Sequence, residues 1–258
     1  MARLSLDTRN IGYHVHGDGA PLLVLHGTTQ AGGAWDAVRA SFPFERTWVA
    51  VELPGSGESS MPDGPLDLDQ IVDDAVAVME HLGHDTFDVA GYSLGAVVAL
   101  RMAARHARRV ASVTSLCGWA VTDARMRLTF DLWSRLIDIG PEVFMRYALV
   151  DGYTADGLAM LEPMIDTVVS MAAGTVQAGS ASQLELDARI DIDSCLADIS
   201  APCLVIGAVE DRWVDVMHSR HLASMVPGAR LIEVPAGHLV IIERAADIAA
   251  SLAGHIGR

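Results

Sequence analysis

The sequence predicts an α/β fold, with a mostly parallel, twisted sheet covered by helices on both faces. Short apolar runs typical of buried strands alternate with segments of helical periodicity along most of the 258 residues. The composition, 51% apolar and 20% charged, is that of a globular protein with a large core. A glycine-flanked turn at residues 91–95 leads from a strand-like run into a helix-like run. Together these observations favour an open α/β sheet.

Seven apolar runs are predicted to form the strands of this sheet. The first two flank Gly17-Asp18-Gly19, a turn that predicts a β-hairpin between them. The strand-like runs span residues 11–16, 22–25, 47–51, 86–90, 110–116, 202–206 and 230–234.

Helices are predicted from apolar stripes and from their start and stop residues. One begins at Asp67, which forms an N-cap pair with Gln70, and ends at Gly83. Another, residues 94–105, is apolar nearly all round, as expected of a helix in the middle of the protein.

The alternation of strands and helices stops between residues 119 and 197. This segment holds helical stretches and no clear strand, at residues 123–139, 141–150, 154–173 and 183–189. We interpret it as an inserted helical cap. The predicted domains are therefore a core of residues 1–118 and 198–258 and a cap of residues 119–197.

Charge and composition exclude several classes of partner. The net charge of −15 predicts a surface that repels nucleic acid and anionic membranes. The polar N-terminal residues predict no secretory signal, and no apolar run is long enough to cross a bilayer, so we expect a soluble, cytoplasmic protein. Three scattered cysteines predict no disulfide framework. The oligomeric state is left open.

The turn at residues 91–95, GYSLG, fits the pattern G-x-S-x-G. A nucleophilic serine on a very tight turn needs glycine two positions before and after it, where side chains would collide with the backbone. The dinucleotide pattern G-x-G-x-x-G is not matched, because Ser93 stands in place of the middle glycine. A purely structural turn remains the alternative, since the pattern is short and common.

An acidic loop and a histidine loop follow two later strands. Glu210 and Asp211 come after residues 202–206, and His238 comes after residues 230–234. The carboxyl ends of parallel strands meet at one edge of a sheet, so these side chains are expected near Ser93. A serine needs such a general base, held by a third group, to act as a nucleophile.

The order and spacing of these motifs resemble the α/β-hydrolase superfamily. The resemblance runs from His26-Gly27 through GYSLG and ED-R-x-V at 210–214 to Gly237-His238, and so covers nearly the whole chain. It implies that Ser93 is the nucleophile, His238 the general base and acid, and Asp211 the orienting carboxylate.

Two backbone amides are candidates for the oxyanion hole. The Leu94 amide starts a predicted helix, where unpaired N–H groups and the helix dipole favour an anion. The resemblance implies that the second donor is the amide of Thr28, the residue after His26-Gly27. The Thr28 and Thr29 hydroxyls are further candidate donors, although ordinary turn hydrogen bonds are the favoured interpretation for both.

Other side chains near these motifs carry weaker signals. Glu210 and Asp215 are alternatives to Asp211, but the family loop matches Asp211 better. Histidine pairs at 81/84, 218/221 and 14/16 lack the cysteines or carboxylates of a metal site, so no metal and no cofactor are predicted.

The predicted cap and the loops near Ser93 provide candidate pocket residues: Trp119, Trp133, Trp213 and Cys117. The cap is rich in methionine, which adapts to irregular apolar ligands. Residues 120–198 carry 13 acidic side chains and 5 arginines, which disfavours polyanionic substrates.

We therefore expect a hydrolase acting on an uncharged, fairly hydrophobic carboxylic ester or lactone, a small-molecule substrate. The alternatives use the same triad for C–C bond hydrolysis, acyl transfer or rearrangement of a natural-product intermediate. A non-catalytic ligand binder on the same fold is less favoured, because such a protein needs no complete triad.

Overall fold

The computed structural model of the chain describes residues 2–6 and 8–257. These residues form one eight-stranded sheet. Its strands are β1 (Ala2–Leu6), β2 (Arg9–His16), β3 (Pro21–Leu25), β4 (Thr47–Val51), β5 (Phe87–Tyr92), β6 (Val110–Leu116), β7 (Cys203–Ala208) and β8 (Arg230–Val234).

The strand order across the sheet is β1-β2-β4-β3-β5-β6-β7-β8. The pairs from β4 to β8 are all parallel, and only β1 with β2 and β2 with β4 are antiparallel within the described residues. The predicted mostly parallel sheet is confirmed.

The predicted hairpin between the first two strand-like runs is wrong. β2 pairs with β4, Tyr13 lying opposite Val51, and β4 separates β2 from β3. β3 is buried almost along its whole length, which suits the interior of a parallel sheet rather than a hairpin. Residues 17–19 do connect β2 to β3, as predicted, but the two strands do not pair. The connection instead passes close to the start of β4: a Cβ on Gly17, whose φ is +74°, would lie 2.4 Å from Arg46 O.

β1 was not predicted. It pairs antiparallel with β2 at the edge of the sheet, and its residues are mostly exposed. An exposed edge strand lacks the apolar pattern by which buried strands are recognised.

Helices cover both faces of the sheet, as predicted. They are α1 (Asp36–Ala40), α2 (Leu68–His81), α3 (Leu94–Arg105), α4 (Ala124–Ile139), α5 (Pro141–Gly152), α6 (Ala155–Leu161), α7 (Ile165–Ala173), α8 (Ser180–Asp187), α9 (Val216–Met225), α10 (Val240–Glu243) and α11 (Ala245–Ile256). The apolar side chains of α2 and α3 pack in one core layer, and those of α11 pack with β3 and β7 in a second.

Helices α2 and α3, before and after the turn at residues 91–95, form as the sequence predicted. The Asp67 carboxylate accepts hydrogen bonds from the amides of Asp69 and Gln70, at 2.8 and 3.1 Å, and caps α2. The Gln70 side chain donates to Asp74 instead of returning to Asp67, so the cap is one-sided. α3 is buried on nearly all of its faces.

Helices α4 to α8 lie between β6 and β7 in the chain. The single helix predicted over 154–173 is broken into α6 and α7 by a short 3₁₀ turn at Glu162–Met164. Pro163 explains the break, because proline lacks the N–H that an uninterrupted helix needs and its ring clashes with the preceding turn.

No helix in the described residues is long and apolar enough to cross a membrane.

Candidate active site

Ser93 occupies the sharp turn between β5 and α3. Its backbone has φ 55° and ψ −119°, a region that costs a non-glycine residue on the order of 1–3 kcal/mol. A Cβ on Gly91 would lie 2.0 Å from Gly95 O, and a Cβ on Gly95 would lie 2.3 Å from Leu25 O. Both flanking positions therefore require glycine.

Asp211 follows β7 and is buried. One carboxylate oxygen, Oδ1, accepts hydrogen bonds from the amides of Trp213 and Val214, each at 2.8 Å. These bonds leave Oδ2 directed at His238. The two alternative acids lie elsewhere: Glu210 is exposed, and Asp215 caps α9 through the Met217 amide.

His238 follows β8 and connects the other two side chains. Its Nδ1 lies 2.6 Å from Asp211 Oδ2, and its Nε2 lies 3.1 Å from Ser93 Oγ. His238 is 2% exposed and Asp211 6%, whereas Ser93 is half-buried. The structure therefore brings the three residues together, with the serine oxygen on the accessible side.

Two aromatic side chains fix the His238 ring and its backbone. The Trp213 and Tyr92 rings lie 4.8 and 5.3 Å from the imidazole, between ring centres. The Tyr92 hydroxyl donates to the His238 carbonyl at 2.9 Å. This orienting contact of Tyr92 has no signal in the sequence beyond its place in the turn.

The loop that carries Thr28 passes directly beside Ser93. A Cβ on Gly27 would lie 3.1 Å from Ser93 Cβ. In the described part of the chain, neither the Thr28 nor the Leu94 amide donates to a protein acceptor. The Leu94 amide also starts α3, where unpaired N–H groups attract anions. Both amides are therefore available to a negatively charged oxygen at Ser93.

A cavity of about 210 Å³ opens over Ser93. Its polar end is formed by residues 27–30 together with Ser93 and His238. Its apolar wall comes largely from α5, α7 and the residues after His238: Met145, Ala148, Leu149, Val168, Leu239 and Ile242. Among the described residues, no Asp, Glu, Lys or Arg side chain lines the cavity.

Of the pocket residues named from the sequence, Trp133 and Trp213 lie on the cavity wall. Trp119 does not, so its predicted place in the pocket was wrong. It is fully buried in the core, where its indole N–H donates to Thr122 Oγ1 at 2.8 Å. Cys117 is also outside the lining, buried at the end of β6. Residues before a loop can point into the core as readily as into a site, which the sequence pattern does not distinguish.

Cys117 lies beside Asp211 and His238. Burial, and next the Asp211 carboxylate, raise the pKa of its thiol well above its usual range. The thiol, Asp211 and His238 have donor atoms within 4.8 Å of one another, a distance at which they could hold a metal ion. A metal there would need the thiolate that this environment opposes and would compete with the bond between His238 and Asp211.

His26 acts locally. Its Nδ1–H donates to Gly27 O at 2.8 Å, and its Nε2 accepts from the Leu53 amide at 3.0 Å. Burial lowers the pKa of its imidazole, which is consistent with the neutral form that both bonds require. It holds the start of the Thr28 loop and does not reach Ser93.

Sequence reasoning missed the residues that tie α8 to this loop. Gln183 and Asp187 are fully buried, and their side chains contact Thr29 and Thr28 respectively. Burial raises the pKa of the Asp187 carboxyl to about 8, while the Thr28 hydroxyl partly opposes that rise. The contacts join residues more than 150 positions apart, so no local pattern could reveal them.

A family model of the α/β-hydrolase fold matches residues 20–245. The chain therefore belongs to the α/β-hydrolase fold family.

Curated relatives match over most of their length. "Putative carbamate hydrolase RutD" from Azorhizobium caulinodans is 28% identical over 87% of this chain and 86% of its own. "Pyrrolizixenacetamide deacetylase" from Xenorhabdus hominickii is 27% identical over 94% of this chain and 93% of its own.

A solved structure agrees in fold. The enol-lactonase from Burkholderia xenovorans LB400 superimposes with a TM-score of 0.87 over the full length of both chains, at 22% sequence identity.

The stability of the protein should report the protonation of Asp187. The pKa of its carboxyl is about 8 in the fold and about 4 in the unfolded chain. Between these two pH values the folded protein holds a proton that the unfolded chain has lost. The stabilising contribution is therefore complete below about pH 4 and is lost as the pH rises towards 8. Against Asp187→Asn, which cannot ionise, the wild type should lose about 1.4 kcal/mol of unfolding free energy per pH unit in this range.

Urea denaturation at pH 5, 6 and 7 measures this difference. Glu185→Gln, an exposed carboxylate on the same helix, is the control and should show no widening gap. A gap for Asp187→Asn that stays constant with pH would mean that Asp187 is ionised in the fold.

Proposed function

We propose that the protein is a serine-dependent hydrolase that cleaves an uncharged, fairly hydrophobic carboxylic ester or lactone through an acyl-enzyme on Ser93. The observation that carries the proposal is the pair of hydrogen bonds from Ser93 to His238, at 3.1 Å, and from His238 to Asp211, at 2.6 Å. A serine activated by a base that a carboxylate orients is the arrangement that acyl transfer requires.

The reaction proceeds in two displacements. Ser93 Oγ attacks the carbonyl carbon while His238 Nε2 takes the serine proton, and Asp211 stabilises the imidazolium. The amides of Thr28 and Leu94 donate to the oxyanion. Collapse expels the alcohol, which takes the proton from His238. Water, deprotonated by His238, then attacks the acyl-enzyme. Collapse releases the acid, and the departing Ser93 Oγ takes the proton back from His238.

Residues 119–197 act as a cap over residues 1–118 and 198–258. This division is supported by the cavity wall, to which Trp133, α5 and α7 contribute from one part and Ser93, Trp213 and Leu239 from the other. The cap thus selects the substrate while the core supplies the reacting groups.

The substrate is uncharged because no arginine or lysine among the described residues lines the cavity. A carboxylate elsewhere on the substrate would therefore have no cation to pair with. The four arginines of the cap helices α4 and α5 are engaged elsewhere: Arg125 with Arg212 O, Arg127 with Thr122 O, Arg135 with Asp131, and Arg146 with Asp166. Burying an unpaired carboxylate against an apolar wall costs several kcal/mol.

Hydrolysis of a small amide or carbamate is a second candidate for the same residues. It is favoured by the names of the two curated relatives, a carbamate hydrolase and a deacetylase. A cavity of about 210 Å³ is below the usual range for drug-sized ligands, roughly 300–1,000 Å³, and so suits a short acyl group such as acetyl.

A fluorophosphonate probe should label Ser93. The probe mimics the tetrahedral intermediate and needs an activated serine next to oxyanion donors. Ser93→Ala should abolish labelling and lower kcat for p-nitrophenyl acetate by on the order of 10⁴-fold or more. Peptide mass spectrometry locates the adduct.

Ser41→Ala, which changes an exposed serine, serves as the matched control and should keep both properties. Labelling of Ser93→Ala to the same extent as the wild type would refute the proposal. Labelling of the wild type without ester hydrolysis would instead favour C–C hydrolysis, acyl transfer or rearrangement by the same triad.

The cavity should discriminate against a charged acyl chain. We expect kcat/KM for the p-nitrophenyl monoester of succinic acid to be at least about 100-fold lower than for p-nitrophenyl butyrate, which matches it in chain length but is neutral. Both rates are read from released p-nitrophenolate. Comparable rates for the two esters would contradict an uncharged substrate class.

A further inference from the structure

Asp187, at the end of α8, is a buried carboxyl that the triad does not use. Its side chain is fully buried, and Oδ2 lies 2.6 Å from the Thr28 hydroxyl oxygen. Its other oxygen, Oδ1, has no hydrogen-bond partner among the described residues. No ion pair to an Arg or His of the described chain balances it. A buried carboxyl with one unsatisfied oxygen destabilises the fold, so its presence calls for an explanation.

Gln183 lies one helical turn before Asp187, on the same face of α8. Its Oε1 accepts from the Thr29 amide at 3.0 Å. Its Nε2 donates to Pro54 O and Ser56 Oγ, each at 3.0 Å, which anchors the amide group. Two consecutive residues of the Thr28 loop are therefore each bonded to α8.

The loop needs such support because its backbone is strained. Thr29 has φ 68°, a left-handed conformation that is unfavourable for a β-branched residue. Within the loop, the Gln30 amide donates to Gly27 O and the Gln30 side chain accepts from the Gly27 amide. Strain of this kind persists only where surrounding contacts hold it.

We propose that Gln183 and Asp187 are positioning residues that hold the Thr28 amide beside Ser93. This inference rests on the proposed acyl-transfer function. It assigns to α8, which contributes no residue to the cavity lining, an indirect part in the reaction.

The bond from Thr28 to Asp187 anchors the residue whose amide is the proposed oxyanion donor. At 2.6 Å the Thr28 hydroxyl donates to Asp187 Oδ2, and the next residue, Thr29, is held by its amide bond to Gln183. Thr28 lines the cavity, so an amide held in this way can donate to the substrate carbonyl as negative charge develops on it.

The test compares Asp187→Leu with Asp187→Asn. Leucine keeps the volume but removes the hydrogen bond, and we expect kcat for p-nitrophenyl acetate to fall about 10- to 100-fold with KM changed less than about 3-fold, since the amide that the bond positions acts in the transition state. The amide oxygen of asparagine can accept from the Thr28 hydroxyl as the carboxyl does, so Asp187→Asn should keep kcat within about 3-fold of the wild type.

Thr28→Val and Thr28→Ser test the same contact from its other end, should Asp187→Leu fail to fold. Valine keeps the backbone amide but removes the hydroxyl and should lower kcat about 10-fold or more, whereas serine should retain it. In the Thr28→Val background, Asp187→Leu should cost much less than it does alone, because both changes break one interaction.

Labelling of Ser93 by the fluorophosphonate separates the two proposals. Wild-type protein that is not labelled would refute the acyl-transfer function itself. Labelled wild type with unchanged kcat in Thr28→Val and Asp187→Leu would refute the positioning role alone. A loss in Asp187→Asn as large as in Asp187→Leu would overturn the role of the hydrogen bond from Thr28 to Asp187. Glu185→Gln, on the exposed side of α8, is the control.

Discussion

The backbone turn at Ser93 is the constraint on which the rest of the site depends. A residue with φ 55° between β5 and α3 is held there because Gly91 and Gly95 allow neighbouring backbone to approach where any Cβ would collide. The turn lifts the serine oxygen off the sheet and leaves the Leu94 amide unpaired at the start of α3. Relaxing it would move the proposed nucleophile and one proposed oxyanion donor together.

Parallel strands then supply the partners of the serine. β7 and β8 end at the same edge as β5, so the loops after them meet over Ser93 although they lie more than 100 residues away in the chain. Two amides fix one oxygen of Asp211, which leaves the other to hold His238. Trp213 packs against the imidazole and also forms part of the cavity wall, so one side chain orients His238 and lines the cavity.

Most of this architecture could be predicted from the sequence, because short local sequence patterns determine it. The turn, the Asp67 cap and the loops carrying Asp211 and His238 each have a short pattern or follow a recognisable strand. The partner of β2 and the edge strand β1 could not be predicted, since pairing depends on distant chain segments. Nor could the bonds from α8 to the loop at 27–30, which join surfaces that only the fold brings together.

The proposed reaction requires an acyl-enzyme on Ser93 as an intermediate. Partitioning with added methanol detects this intermediate, using several esters that share an acyl group but differ in the leaving group. A common intermediate requires the same ratio of methyl ester to free acid from every substrate, and Ser93→Ala should form neither product above background. A ratio that varies with the leaving group would show that water attacks the substrate directly, and would rule out a common acyl-enzyme.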